Sequence, residues 1–257
     1  MPEIRHRRSL VNPELRRRGI YILPNLFTTA ALFAGFYAIV QAMNQNFEAA
    51  SVAIFIAMVL DGLDGRVARM TRTQSAFGAE YDSLSDMVSF GVAPALVAYE
   101  WALKGLGKWG WIAAFIYCVG AALRLARFNT NIDVVDKRYF QGMPSPAAAA
   151  LVAGLVWVML DNGWSGAEAR WYAFALTIFA GITMVSNVRY YSGKDINLRK
   201  SVPFIFVAGT ALVFALVSSY PPGYLFGLFL CYALSGYVLL VTGWLGRRSS
   251  ARNSPKV

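Results

Sequence analysis

Eight apolar runs dominate this chain, at about residues 23–43, 48–70, 82–103, 109–128, 145–160, 170–188, 201–219 and 223–245. A helix needs roughly 20 mainly apolar residues to cross a bilayer. Inside the hydrocarbon every backbone polar group must be satisfied within the protein, which leaves helices as the fold for runs of this kind. With 57% hydrophobic residues and a mean hydropathy of +0.45, the chain is too apolar for an ordinary soluble domain. The predicted fold class is therefore an all-α integral membrane protein of about eight transmembrane helices. The stretch NPELRRRG, Asn12 to Gly19, is predicted as an N-terminal amphipathic helix lying on the headgroups. The fifth run is short, and the loop before it is a candidate to dip into the membrane.

Charge placement tests the count. The formal net charge is +10, which in a soluble protein would raise nucleic acid as a partner. Here 21 of the 24 Lys and Arg residues fall on one side of an eight-span topology, and only Lys104, Lys108 and Arg170 fall on the other. The positive-inside rule then puts both termini on the cytoplasmic side, and anionic lipid headgroups rather than nucleic acid account for the charge. An odd number of spans would scramble this alternation. Cys118 and Cys231 lie in apolar runs and form no metal-type spacing, and the single histidine, His6, sits in the basic N-terminal tail. Disulfide frameworks, zinc sites and histidine-based catalysis are thereby disfavoured. No cleavable signal peptide is expected, because the basic start lacks a short apolar core with a small-residue cleavage site.

The polar exception is DGLDGRVARMTRTQSAFGAEYDSLSD, Asp61 to Asp86. Charge within a membrane segment is costly and marks function by default. Asp61 and Asp64 are three apart on the second run; Asp82 and Asp86 are four apart on the third. At about 100° per residue, Asp61, Asp64, Gly65, Ala68 and Arg69 share one arc of a helix. The short connection lets the two helices pack antiparallel, so the four carboxylates converge at the cytoplasmic ends. Hard carboxylate oxygens suit Mg²⁺, Mn²⁺ or Ca²⁺. A pair of divalent ions bridged by aspartates is a device for displacement at phosphorus. Gly65 and Ala68 keep the helix face thin, and Arg69 offers a planar fork to a phosphate. Two other readings fit a lone intramembrane aspartate: burial as ion pairs with Arg66, Arg69 and Arg124, or a place on an ion or proton path. Neither accounts for four aspartates on two facing arcs with glycines and an arginine between them.

The pattern Asp61-Gly-Leu-Asp64-Gly65-Arg-Val-Ala68-Arg69, then eight residues, then Gly78-x-x-x-Asp82-x-x-x-Asp86, resembles the signature of the CDP-alcohol phosphotransferases, with every fixed position present. The resemblance implies two divalent cations, Mg²⁺ or Mn²⁺, held by Asp61, Asp64, Asp82 and Asp86. It implies that Asp86 is the general base toward the acceptor hydroxyl, that Gly65, Ala68 and Arg69 face the CDP moiety, and that Gly78 makes room beside them. The implied reaction is attack of an alcohol on the β-phosphate of a CDP-linked lipid, with CMP as leaving group.

Three further stretches bear on the acceptor. YILPNLFTTAALFAGF, Tyr21 to Phe36, opens the first run; Pro24 suits a helix start, and Asn25 and Thr28 share one face. Similar starts in the family line the nucleotide pocket. GAALRLARFNTN, Gly120 to Asn131, places Arg124, Arg127 and Asn131 on one arc, as acceptor ligands or as snorkelling anchors. FQGMPSPAAAA, Phe140 to Ala150, has Pro144 and Pro146 fixing an extended approach and Ser145 as a candidate cap. Together with SNVRY, from Ser186, these resemble the membrane-integral phosphatidylserine synthase branch of the family, over about residues 20–200. That branch implies CDP-diacylglycerol and L-serine as substrates, with Arg124 or Arg127 on the serine carboxylate. It also implies a cell (inner) membrane location with the site facing the cytoplasm. The expected organisation is a basic tail and interfacial helix (1–22), a catalytic membrane core (23–200), two added transmembrane helices serving as scaffold or homodimer surface (201–246) and a disordered basic tail (247–257). Glycerol 3-phosphate or inositol phosphate as acceptor is the nearest alternative chemistry. A divalent-cation transporter is the alternative from another class.

Overall fold

The computed structural model describes residues 13–71, 73–130, 139–191 and 204–252. Within the described residues, each of the eight apolar runs is largely helical. These are α1 (Pro13–Met43), α2 (Phe47–Thr71), a long third helix, α5 (Lys108–Thr130), α6 (Ser145–Asp161), α7 (Gly166–Val185), α8 (Phe204–Ser219) and α9 (Pro221–Arg252). The third is composite: α3 (Ala76–Asp86), a π-helical segment (Met87–Val92) and α4 (Ala93–Trp101). Three stretches are long and apolar enough to cross a membrane among the described residues: Leu23–Met43, Lys108–Thr130 and Pro221–Thr242.

Several boundaries differ from the sequence reading. Pro24 lies inside α1, which is helical from Pro13 on, so the described part of the predicted interfacial helix and the first span share one continuous backbone. The third helix begins at Ala76, six residues before the predicted start. The Ser75 hydroxyl caps it by accepting from the Gly78 N–H at 3.0 Å. Ser145 is the first residue of α6, and Pro144 takes the cap position in its stead. Helix α9 continues past Arg247 to Arg252, where the tail was expected to have left the helix. Two short strands were not anticipated: β1 (Tyr139–Gln141) pairs antiparallel with β2 (Arg189–Tyr191), Phe140 opposite Tyr190. At three residues each they are too short to register as a period-2 pattern.

Close packing here depends on small side chains. In lipid, helices gain no hydrophobic advantage by associating, so close backbone contact and cross-helix hydrogen bonds hold them. Helices α1 and α2 form a hairpin whose turn places Gln45 at a φ of 61°. Ala31, Ala34, Ala38 and Ala42 on α1 and Ala50, Ala53 and Ala57 on α2 are buried. Helix α6 is the core of the bundle, with Ala147–Val156 buried throughout. At 17 residues, or about 26 Å at 1.5 Å per residue, its shortness is offset by protein on every side. Helices α5 and α7 cross at Gly120 and Gly181, where a Cβ on Gly120 would stand 2.5 Å from the Gly181 carbonyl oxygen. At the end of the bundle remote from the aspartates, Ser165 opens α7. Its backbone N–H donates to Glu168 Oε2 at 2.8 Å and its hydroxyl at 2.7 Å, which holds that exposed carboxyl below its usual range.

The glycine crossing yields a direct test. Gly120→Val must push α5 off α7, at a cost of about 1–3 kcal/mol. Thermal unfolding in detergent should show a clearly lowered midpoint. An unchanged midpoint would mean that α5 and α7 do not depend on close contact at Gly120 and Gly181.

Candidate active site

The site forms where α2 ends and α3 begins. One oxygen each from Asp61, Asp64 and Asp82 lie within 4.8 Å of one another. Asp86 stands one turn beyond Asp82, its carboxyl within hydrogen-bonding reach of Asp61, and Asp64 is likewise within reach of Asp82. Two ionised carboxylates at such a separation repel by roughly 3–4 kcal/mol at an effective dielectric of about 20. Burial adds the cost of removing each from water. Among the described residues the only ion pair is Lys104–Glu100, far from the cluster, so pairing with Arg66 or Arg69 does not neutralise it. One arginine, Arg124, faces Asp86 and Asp61.

The surroundings orient the carboxylates. Thr28, buried on α1, donates its hydroxyl to Asp64 Oδ2 at 2.8 Å and also lies 3.2 Å from the Pro24 carbonyl. Pro24 inside the helix thus belongs to the site's wall. Asp82 Oδ1 is buried with no protein partner. An oxygen-only donor set with an orphaned, buried carboxylate oxygen fits a hard divalent cation, and no histidine or cysteine competes. The acidic triad therefore matches a metal centre in chemistry and in spacing.

Beside the triad lies a cleft of about 330 Å³. Its walls include Asn25, Thr28, Asp64, Gly65, Ala68, Arg69, Gly78 and Asp82, so the candidate nucleotide-facing residues from the sequence all come together on one surface. A Cβ at Gly65 would meet nothing within 4 Å, which leaves the α2 face open to a ligand. At Gly78 a Cβ would crowd Ser75 Oγ at 3.1 Å and Asn25 Oδ1 at 3.4 Å, so this glycine lets α3 approach α1. Thr73, Gln74, Ser75 and Ala79 complete the rim and were not singled out from the sequence. A helix-start signal, serine ahead of AFGAE, was available for Ser75; nothing marked the other three.

The candidate acceptor residues divide. Arg124 Nη1 donates to Ser145 Oγ at 2.8 Å, while its buried Nε has no protein partner. Arg127 turns away: its Nη2 donates to the Val185 carbonyl at 2.8 Å and its Nη1 to Asn187 Oδ1 at 3.4 Å, closing the C-terminus of α7. Asn131 lies outside the described residues. Its neighbour Asn129 donates from Nδ2 to Ser83 Oγ at 2.9 Å, tying α5 to α3 between Asp82 and Asp86.

Outer partners of metal ligands typically govern affinity by 10–100-fold. Thr28→Val keeps the side-chain shape and deletes the donor to Asp64. Mn²⁺ affinity of the purified protein should then fall by about tenfold or more. An unchanged affinity would show that Asp64 needs no help from α1.

The family model described as CDP-alcohol phosphatidyltransferase matches residues 21–186, from α1 to the end of α7. A Helicobacter pylori protein named CDP-diacylglycerol--serine O-phosphatidyltransferase is 39% identical over 197 residues, spanning 76% of this chain and 82% of that protein. A Methanocaldococcus jannaschii protein of the same name is 36% identical over 195 residues, 74% and 83% of the two chains. One from Mycobacterium leprae is 36% identical over 211 residues, 80% and 70%. The matched segment contains the whole aspartate cluster, the cleft and Arg124, and on this ground the chain belongs to the CDP-alcohol phosphatidyltransferase family.

Proposed function

We propose that this protein transfers the phosphatidyl group of CDP-diacylglycerol to the hydroxyl of L-serine, giving phosphatidylserine and CMP. The observation that carries the reading is the triad of aspartate oxygens within 4.8 Å, set beside an open cleft at the end of an apolar bundle. The names of the relatives supply the acceptor.

Asp61, Asp64, Asp82 and Asp86 would hold two divalent cations, Mg²⁺ or Mn²⁺, which offset the pyrophosphate charge and polarise the attacking and leaving oxygens. Asn25, Thr28, Gly65, Ala68, Arg69 and Gly78 bind the CDP part, with the thin glycine face admitting the nucleotide and Arg69 meeting a phosphate. Asp86 accepts the proton of the serine hydroxyl as its oxygen attacks the β-phosphate. The new O–P bond forms as the bond to the bridging oxygen breaks, and CMP carries that oxygen away. Arg124 takes the serine carboxylate. Arg127 and Asn131 flank the same arc; Arg127, carried by α5, acts from its seat against the C-terminal end of α7.

The site opens at the cytoplasmic face of the cell (inner) membrane, where an acylated anionic substrate meets soluble serine. Residues 23–200 are the catalytic core. Helices α8 and α9 add a lipid-facing or homodimer surface, rich in exposed Leu, Val and Phe. A transporter needs carboxylates along a path. Among the described residues, the acidic positions outside the cluster are Glu80, two residues before Asp82 on α3, and Glu14, Glu48, Glu100, Asp161 and Glu168, each in the first or last turn of a helix.

Purified protein with CDP-diacylglycerol and Mn²⁺ or Mg²⁺ should release CMP with L-serine, and not with glycerol 3-phosphate or inositol phosphate. Asp86→Asn and EDTA should each abolish release. Turnover with another acceptor would displace serine; turnover in Asp86→Asn would remove the base from its role. Gly65→Leu fills open space without a clash, so the fold should survive while KM for CDP-diacylglycerol rises by about tenfold or more, as expected for blocked ground-state binding. A KM within twofold of the parent would place the nucleotide elsewhere.

A further inference from the structure

Asp86 is the last residue of α3, and the next six, Met87–Val92, form a π-helical segment. A π-turn adds one residue to the helix, which rotates everything beyond it by about 100° relative to an unbroken α-helix. That offset lets two incompatible faces coexist on one rod. Asp82 and Asp86 point at α2, while Ala93, Ala95, Val97 and Ala98 of α4 stay buried in the bundle.

Three hydrogen bonds hold the segment and the turn before it, two to α1 and one from α5. Ser89 donates its hydroxyl to the Ala31 carbonyl at 3.1 Å, and Ser85 to the Thr28 carbonyl at 3.1 Å. Gly35 admits this contact, since a Cβ there would stand 2.6 Å from Ser89 Cα. The third hold comes from α5. Pro94 has no N–H, so the Phe90 carbonyl four residues earlier lacks its α-helical donor. The Tyr117 hydroxyl donates to it at 2.9 Å, and Tyr117 is fully buried. The sequence therefore withholds an α-helical hydrogen bond at Pro94 and supplies its replacement from another helix.

We propose that Tyr117 is a positioning residue for Asp86: by occupying the Phe90 carbonyl it keeps the segment in the π form that directs the Asp86 carboxyl onto Asp61. This rests on the transferase reading for its effect on rate, and on geometry alone for its effect on the metal centre. Tyr117 is not among the residues that line the cleft.

The test uses full-length protein in detergent or nanodiscs, with three readouts: thermal midpoint, Mn²⁺ affinity, and kcat and KM for CMP release. Tyr117→Phe keeps the ring and removes the donor. It should weaken Mn²⁺ binding by about tenfold and lower kcat by about tenfold or more, as a misplaced group does, with KM for CDP-diacylglycerol within twofold. Pro94→Ala in the Tyr117→Phe background returns an N–H to the Phe90 carbonyl. The double variant should regain the parent's thermal midpoint yet stay defective in Mn²⁺ affinity and kcat, because the segment then closes as α-helix. Recovery of Mn²⁺ affinity together with the midpoint would overturn the proposal and leave Tyr117 a purely structural bond. Parental Mn²⁺ affinity in Tyr117→Phe would overturn it as well. Because Mn²⁺ affinity is read without substrate, a parent that binds Mn²⁺ but releases no CMP would count against the transferase reading and still decide the role of Tyr117.

Discussion

Mutual repulsion among four aspartates sets the terms for everything around them. Asp61, Asp64, Asp82 and Asp86 meet where α2 ends and α3 begins, partly buried, and counter-charge must come from close by. Within the described residues the protein supplies one facing arginine, Arg124, and one hydroxyl donor to Asp64, Thr28. On the proposed function, the rest of the compensation would come from divalent cations and, at second hand, from the phosphates they would bind. A site built in this way is incomplete without its ligands, which suits an enzyme whose substrate arrives as an anionic pyrophosphate on a lipid.

The remainder of the bundle holds that unfavourable arrangement in place. Tyr and Ser hydroxyls bond across helices to main-chain carbonyls at Ala31, Thr28 and Phe90, all near the third helix. Alanines and glycines let the backbones approach closely enough for those bonds to form. Helix α6 gives a stiff, alanine-rich axis, and its first residue, Ser145, receives the guanidinium that faces Asp86. Core packing and site electrostatics are therefore coupled through the same side chains. Arg124 is attracted to the carboxylates and anchored to the axis in a single stroke.

Much of this was legible in the sequence. Helical periodicity alone put Asp61, Asp64, Gly65, Ala68 and Arg69 on one face, because a 3.6-residue repeat has no alternative once the segment is helical. The convergence of α2 and α3 followed from a connection too short for any but an antiparallel pair. Three of the features that were hidden show why. Local rules read Pro24 as a helix start, whereas helix continues on both sides of it. The π-segment has no local code: it depends on Pro94 in the same helix and on Tyr117 more than twenty residues away. The destination of Arg127 depended on where α7 ends, at Val185, and no pattern near Arg127 carries that information. In the last two cases a long-range partner decided what no local pattern encodes.

The most direct measurement is the stoichiometry and spin coupling of Mn²⁺ in metal-free, purified protein, followed by electron paramagnetic resonance. Two ions per chain with a coupled spectrum, reduced to a single uncoupled ion or to none in Asp82→Asn, is the expected result. One ion with an isolated-ion spectrum in the parent, unaltered by Asp82→Asn, would contradict the claim that these aspartates build a two-metal centre.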